Sequence, residues 1–216
     1  MKRRSNNQVS IIHGADGPTS IFMLGKIQKK PLKIRIRNAT YGFRRKKAEK
    51  KIVANPHTLT EVVEYAKTHY ESVEADPAAR NFMEQQQSLR ESLILQHKPE
   101  LLGEMKDIPA PDYSKEKSVR EFLNKIEARS KMIAQMPDHV ISMNFHLYEI
   151  RIKGGLLEME IDYTWNIFGI SYSGNKKVMK KLKRITRDLY SYYGVSAEDI
   201  RNKTERYSTL VTELSS

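Results

Sequence analysis

Apolar residues recur at helical spacing through the middle of the chain. Three helices are predicted there, over residues 58–71, from about 77 to 98 and from about 114 to 135. Thr58 stands at a capping position before the first helix, and Asp76-Pro77 suits the start of the second. Residues 103–113 contain one glycine and two prolines, so we interpret them as a linker or an ordered loop.

The pattern changes to repeated alternation in two runs, from Val140 to Ile152 and from Leu156 to Tyr172. Lys153-Gly154-Gly155 lies between them, which predicts a long antiparallel hairpin. Counting outward from this turn pairs Ile152 with Leu157, Ile150 with Met159, and Tyr148 with Ile161. Four apolar residues fall in the phase that should face solvent, so either a bulge shifts the register or both faces are covered. These four are Ile141, Met143, Phe145 and Leu147.

Shorter patterns occur toward the two ends. Residues 8–12 predict a short strand, and residues 21–24 a second strand or a short helix. Residues 32–37 alternate between apolar and basic side chains and predict a strand that joins the hairpin and displays its cations to water. Asn175 is placed to cap a basic amphipathic helix to about residue 193, and Ser196 begins a capping box for a last helix.

The predicted helices and strands are segregated along the chain, which favours an α+β fold over a doubly wound parallel sheet. We expect an antiparallel sheet built on the long hairpin and packed against several helices. Residues 1–53 form a basic N-terminal segment with short strands. Residues 54–216 form a helical and hairpin core, which we expect to make one compact domain with the first segment.

The net charge of +12 is distributed unevenly over the 216 residues. Residues 1–53 hold 15 Lys/Arg and two acids, residues 54–174 hold 13 and 19, and residues 175–216 hold ten and five. The corresponding net charges are +13, −6 and +5. Because the acidic middle is too small to neutralise both ends, we expect a basic surface after folding.

Clustered cations gain affinity for a polyanion through counterion release. Five aromatic residues lie beside these clusters in the sequence, where they either stack on bases or belong to the core: Tyr41, Phe43, Tyr190, Tyr192 and Tyr193. The candidate nucleic-acid-binding residues are Lys33, Arg35, Arg37, Arg44, Arg45, Lys46, Lys47, Lys176, Lys180, Lys183, Arg184 and Arg187.

We interpret the chain as a non-catalytic basic binding protein that contacts nucleic acid or a nucleic-acid-bound complex, or an acidic protein partner. No signature of a known nucleic-acid-binding module is visible. The alternative is an interaction or inhibitor protein, encoded by a mobile element, that binds a bacterial protein target and uses its charge for steering.

Residues 11–24 read Ile-Ile-His-Gly-Ala-Asp-Gly-Pro-Thr-Ser-Ile-Phe-Met-Leu. They closely resemble the Gly-Gly-Ala-Asp-Gly-Pro-Thr-Ser-Ile-Phe signature of the β subunit of sodium-translocating decarboxylases, with eight consecutive matches from Ala15 to Phe22. The resemblance covers about a fifteenth of the chain, and His13 replaces the first glycine of the signature.

In that family the aspartate of the signature helps to form a sodium site. The resemblance therefore implies a ligand turn made of His13, Asp16, Thr19 and Ser20. Ion translocation is not implied, because the sequence lacks the transmembrane helices that surround the signature in the family. From the residues alone, Asp16 either caps its own turn or holds a cation.

The hairpin also carries a candidate for metal-assisted or general acid/base chemistry, made of Glu149, Glu158, Glu160, Asp162 and the neighbouring His146. The alternative is a solvent-facing polar stripe that Arg151 and Lys153 offset. No paired-histidine zinc motif, phosphate loop or nucleophile elbow is present in the sequence. We therefore expect no catalytic residues, no enzymatic activity and no cofactor, and metal binding is left open.

The longest apolar runs are far shorter than the roughly 20 residues that span a bilayer. Polar residues follow the basic N-terminus where an export signal would turn apolar. The chain also has no cysteine, which fits a reducing compartment. We expect a cytoplasmic protein without a membrane segment, and the oligomeric state is left open.

Overall fold

The computed structural model describes residues 8–11, 21–24 and 32–215, with side chains from residue 39 onward. These residues form an α+β fold, as predicted. The helices are α1 (Leu32–Glu49), α2 (Leu59–Tyr70), α3 (Arg80–His97), α4 (Glu116–Ala134), α5 (Met179–Tyr193), α6 (Ala197–Asn202) and α7 (Glu205–Ser215). The strands are β1 (Gln8–Ile11), β2 (Ile21–Leu24), β3 (Val73–Glu74), β4 (Phe145–Ile152), β5 (Gly155–Asp162) and β6 (Ile167–Gly174).

The chain divides into two compact units, one of residues 1–30 and 84–142 and the other of residues 31–83 and 143–216. In the first unit β1 and β2 pair antiparallel. An ion pair of 2.9 Å between Arg129 and Glu91 links α4 to α3, and both side chains are largely shielded from solvent. Arg90 of α3 donates to the carbonyls of Met136 and Pro137, and so binds the segment that follows α4.

The second unit is built on an antiparallel sheet of order β3-β4-β5-β6. Helices α2 and α5 cover one face of this sheet and contact each other. Val62 and Ala66 of α2 pack there with Met159 of β5 and Leu189 of α5, all of them fully buried or nearly so. This layer is the main hydrophobic core of the unit.

The predicted hairpin is present, but its register differs from the prediction by two residues. Ile150 pairs with Leu157, Tyr148 with Met159, and Ile152 with Gly155. The reason is that Gly155 belongs to β5, so that only two residues connect the strands. Gly154 has φ +88° and approaches Asn175 so closely that a Cβ would lie 2.3 Å from its amide nitrogen. A shift of two keeps the same residues on the same face, so the predicted core face is correct.

The second predicted run does not form one strand. The chain reverses after Asp162 and returns as β6, which pairs with β5 along its whole length. Phe145 and Leu147, in the phase expected to face water, are buried, and so is Asp162 on the neighbouring strand. At this end both faces of the sheet are therefore covered, which was one of the two predicted possibilities.

Residues 32–37 belong to helix α1 and not to a strand, so that prediction is wrong. Two-residue β3 pairs with β4 instead. An alternation of six residues is too short to separate a strand from a helix, and the residues that follow are mostly strong helix formers. Ala48, near the end of the helix, is buried. Helix α1 packs against α7.

Two of the predicted helix caps are confirmed. Thr58 and Glu61 form a capping box at α2, and Ser196 and Asp199 form another at α6. Asp76 accepts a hydrogen bond from the amide of Ala78, but α3 begins at Arg80, three residues later than predicted, so Asp76 fixes the turn before the helix and does not cap it. The last predicted helix is two helices, α6 and α7, because the chain turns at Lys203, which has φ 53°.

Candidate functional site

Helix α5 separates its apolar and basic side chains. Leu182, Ile185 and Leu189 are buried against the sheet, as their spacing predicts. Four of the five predicted cations of this segment lie on the rest of the helix surface, and Lys176 lies in the turn before it, because α5 begins at Met179 and not directly after Asn175. Three are exposed and two are half-buried: Lys176, Lys180 and Arg184, then Lys183 and Arg187.

Helix α1 is more basic still, with seven Lys/Arg and a single acid, Glu49, among its 18 residues. Its four predicted cations with described side chains are all exposed: Arg44, Arg45, Lys46 and Lys47. Arg45 pairs with Glu49 over 3.2 Å on the surface. The backbones of Lys33, Arg35 and Arg37 lie in the same helix.

Both basic helices contact α7 within the second unit. On the side of α5 toward α7, the side chain of Arg187 donates to the carbonyl of Glu213 over 3.3 Å. Burial raises the pKa of the Glu213 carboxyl, and nearby Lys183 and Arg187 oppose that rise. Lys183 and Arg187 therefore lie close to Glu213 of the same unit, whereas the exposed cations of α1 and α5 are open to solvent.

The five aromatic residues predicted beside the cations differ in how far they are buried. Tyr190 and Tyr193 are buried in the core, where burial raises the pKa of each phenol. Tyr192 is part of an aromatic stack. Tyr41 and Phe43 are exposed, with 42% and 70% of their surfaces open to solvent. Of the five predicted aromatics, these two are available to an external partner.

The stack contains four rings in the order His57, Tyr192, Tyr65 and His69. Successive ring centroids are 4.1, 4.0 and 4.0 Å apart, and the planes lie within 25° of each other. The Nδ1 atom of each histidine lies 2.6 or 2.9 Å from a backbone carbonyl oxygen. Because a carbonyl oxygen only accepts, each Nδ1 carries the proton and donates. In its neutral form each ring then presents Nε2 as an acceptor.

This stack is held by two charged residues. Asp188 of α5 accepts hydrogen bonds from the hydroxyls of Tyr65 and Tyr70, at 2.8 and 2.5 Å. The bond to Asp188 is the main reason that the pKa of Tyr65 is raised to about 12. Arg206 of α7 donates to the carbonyls of His57 and Gly194, at 2.9 and 2.8 Å. Sequence reasoning missed the stack because its rings come from α2, its N-terminal flank and α5.

The acidic hairpin residues are partnered inside the second unit. The amide of Asn81 donates to Glu149 over 3.0 Å and to Glu158 over 3.1 Å, and so bridges two carboxylates that lie opposite each other in the sheet. Arg151 also donates to Glu149, over 2.8 Å. Burial, followed by the negative charge of Glu158, raises the pKa of Glu160. Asp162 is fully buried and accepts from two backbone amides, so it fixes the turn before β6.

These contacts revise the interpretation of the acidic face. It is not a solvent-facing stripe, because Glu149 and Asp162 are buried. His146 lies on the opposite face of the hairpin, where its ring nitrogens contact Glu74 and Asn144 at 2.6 and 3.0 Å. Among the described residues, no group of three or more His, Asp or Glu side chains is arranged to hold a metal ion.

A cavity of about 530 Å³ opens at the β3 edge of the sheet. Its lining includes the carboxylates of Glu71, Glu74, Asp76 and Glu149 and a single guanidinium, that of Arg151. This excess of negative charge repels an anionic ligand. The cavity is therefore unsuited to phosphate, in contrast to the exposed faces of α1 and α5.

The ligand turn of His13, Asp16, Thr19 and Ser20 lies outside the described residues. No helix among those described combines the length and the apolar character that crossing a membrane requires. Comparison of the chain with protein-family models, curated proteins and solved structures finds no match. The proposals below therefore depend on the geometry and the charges of the described residues.

Proposed function

We propose that the second unit binds nucleic acid through the exposed cations of α1 and α5. The observation that carries this proposal is that both basic helices pack against α7 while most of their described cations stay exposed. Nucleic-acid backbones present regularly spaced phosphates, and each phosphate that a Lys or Arg neutralises releases a counterion.

The internal charge pairing of the unit supports a surface that is open to an external anion. Among the described residues, none forms an ion pair with Lys46, Lys47 or Lys50 of the α1 segment. Cations without a partner repel each other and lower the stability of the folded state. A bound polyanion neutralises these lysines and so removes the repulsion between them. Their exposure therefore favours a polyanionic partner.

The test measures binding of purified protein to a labelled single strand and to a duplex from about 50 to about 200 mM salt. Two triple variants remove three exposed cations each, K46Q/K47Q/K50Q in the α1 segment and K176Q/K180Q/R184Q in the α5 segment. A matched control, K117Q/R120Q/K125Q, removes three exposed cations from α4 in the other unit. All three variants have the same net charge.

We expect the α1 and α5 variants to weaken binding and to flatten its salt dependence, by about 0.7–0.9 in logarithmic slope for each phosphate that the variant no longer neutralises. The α4 control should keep the wild-type slope. An equal loss of affinity in all three variants would show that affinity depends on the net charge of the protein and not on the cations of α1 and α5. If the protein binds neither nucleic acid at the lowest salt, the proposal is wrong and a protein partner, steered by the same charges, takes its place.

A further inference from the structure

Phe43 is an apolar ring in the most basic part of the described surface. Among the described Phe, Tyr and Trp residues it is the most exposed, with 70% of its surface open to solvent. A phenylalanine placed in a core contributes to folding through its buried area. Phe43 makes little such contribution, so folding does not explain an aromatic residue at this position.

The residues that follow Phe43 on the same face of the helix are cations. Positions 46, 47 and 50 lie three, four and seven residues after it, which places them on the same face of a helix. The helical hydrogen bonding reaches the last of them, because the amide of Lys50 donates to the carbonyl of Lys46 over 3.3 Å. Lys46, Lys47 and Lys50 are all exposed. We call Phe43 and these three lysines the α1 stripe.

We infer that the α1 stripe binds a single-stranded nucleic acid, with the ring of Phe43 stacked on an unpaired base and the three lysines on the phosphates beside it. This inference rests on the proposed function. Proteins that bind single strands combine cations that follow the backbone with aromatic rings on which bases stack. The α1 stripe has both components within two helical turns.

A duplex fits the stripe less well. The bases of a duplex are already stacked on each other, so Phe43 would have to separate two base pairs, and this unstacking costs free energy. An anionic membrane also fits less well. A helix that lies in a membrane surface buries an apolar face, whereas the next three positions after Phe43 on its face are lysines and Thr40 precedes it there.

The test compares wild type, F43A, F43L and F43W on a single-stranded RNA of about 12 nucleotides and on the corresponding duplex. Alanine has a higher helix propensity than phenylalanine, so F43A keeps α1 helical, and circular dichroism checks this. V53A is the matched control, because Val53 is equally exposed at 74% but is not aromatic.

We expect F43A to weaken single-strand binding about 5-fold or more, because stacking of one base contributes a factor of roughly 5–150 in affinity. F43L should lose as much affinity as F43A, and F43W should bind as wild type with its new indole fluorescence quenched by the stacked base. Duplex binding, the salt slope and the affinity of V53A should stay unchanged.

The outcomes separate this inference from the proposed function. If K46Q/K47Q/K50Q loses affinity and F43A does not, the cations bind nucleic acid and the stacking inference is wrong. Full binding by F43L would also overturn it, because an apolar contact would then suffice. A protein that binds vesicles of anionic phospholipid but no nucleic acid would overturn both.

Discussion

The guanidinium of Arg206 lies over the ring of Tyr193, with its carbon 3.6 Å from the ring centroid. The same group donates to the carbonyl of Tyr193 over 2.6 Å. Together with its bonds to His57 and Gly194, these contacts fasten α7 to the end of α5 and to the segment before α2. This arrangement needs the planar fork of an arginine.

Replacing Arg206 by lysine should therefore lower the free energy of unfolding by about 2–4 kcal/mol, although the charge is kept. Urea unfolding followed by circular dichroism measures this change. The control is R201K on exposed α6, where a change within about 0.5 kcal/mol is expected. Equal unfolding midpoints for the two variants would contradict the role of Arg206.

Asp188 should control the titration of Tyr65. Since their hydrogen bond is the largest cause that raises the pKa of this phenol from 10 to about 12, D188N should bring that pKa back toward 10. Phenolate absorbance in the ultraviolet follows the titration, and Y65F assigns the signal. An unchanged titration curve in D188N would show that Asp188 does not hold the phenolic proton.

The same bond makes stability depend on alkaline pH. The folded state holds the proton of Tyr65 more tightly than the unfolded state, so its contribution is complete below pH 10 and is lost as the pH rises toward about 12. We expect wild type to lose stability over this range more steeply than Y65F. The comparison requires urea unfolding at several pH values from neutral to alkaline.

Gly194 and Gly42 should respond to alanine in opposite directions. Gly194 has φ 60°, and a Cβ there would lie 2.0 Å from the carbonyl oxygen of Asn55. G194A should lower the free energy of unfolding by about 3 kcal/mol or more. Gly42 lies within α1 with no atom within 4 Å of an added Cβ, so G42A should raise stability by about 0.5–1 kcal/mol. Thermal unfolding of the pair measures both effects, and a tolerated G194A would show that the chain can move away from Asn55.

Glu160 should destabilise the fold at neutral pH. Burial and the charge of Glu158 raise the pKa of its carboxyl. The protonated carboxyl therefore stabilises the folded state fully below its ordinary pKa, and this contribution is lost as the pH rises through the pKa of the folded state. E160Q removes this charge. We expect it to be more stable than wild type at pH 7, with a difference that shrinks as the pH falls toward 4. A constant difference at all pH values would mean that packing, and not ionisation, separates the two proteins.

Several elements could be predicted from local sequence because their determinants are local. Thr58 and Ser196 each lie three residues before the acid that completes their capping box. The apolar spacing of α5 predicted its buried face, and the alternation on both sides of Gly154 predicted the hairpin. The errors arose where two local interpretations were equivalent, as for the six alternating residues that begin α1.

The site depends on contacts that local patterns do not contain. His57 and Tyr192 stack although 135 positions separate them, and no periodicity links them. The basic ends were evident from composition, but their common contact with α7 depends on the path of the chain. The sequence also does not show which aromatic side chains are buried. Tyr190 and Tyr193 belong to the core, whereas Phe43 does not.

The bond between Arg206 and His57 joins positions 149 residues apart. A ribosome adds about 5–20 residues per second, so roughly 7–30 s separate the synthesis of these two residues. The strand β4 and the helix α5, which cover the apolar side of α2, are also translated after it. Until these two elements have been made, that side of α2 has no native partner, and the second unit completes its folding only after Arg206 has left the ribosome.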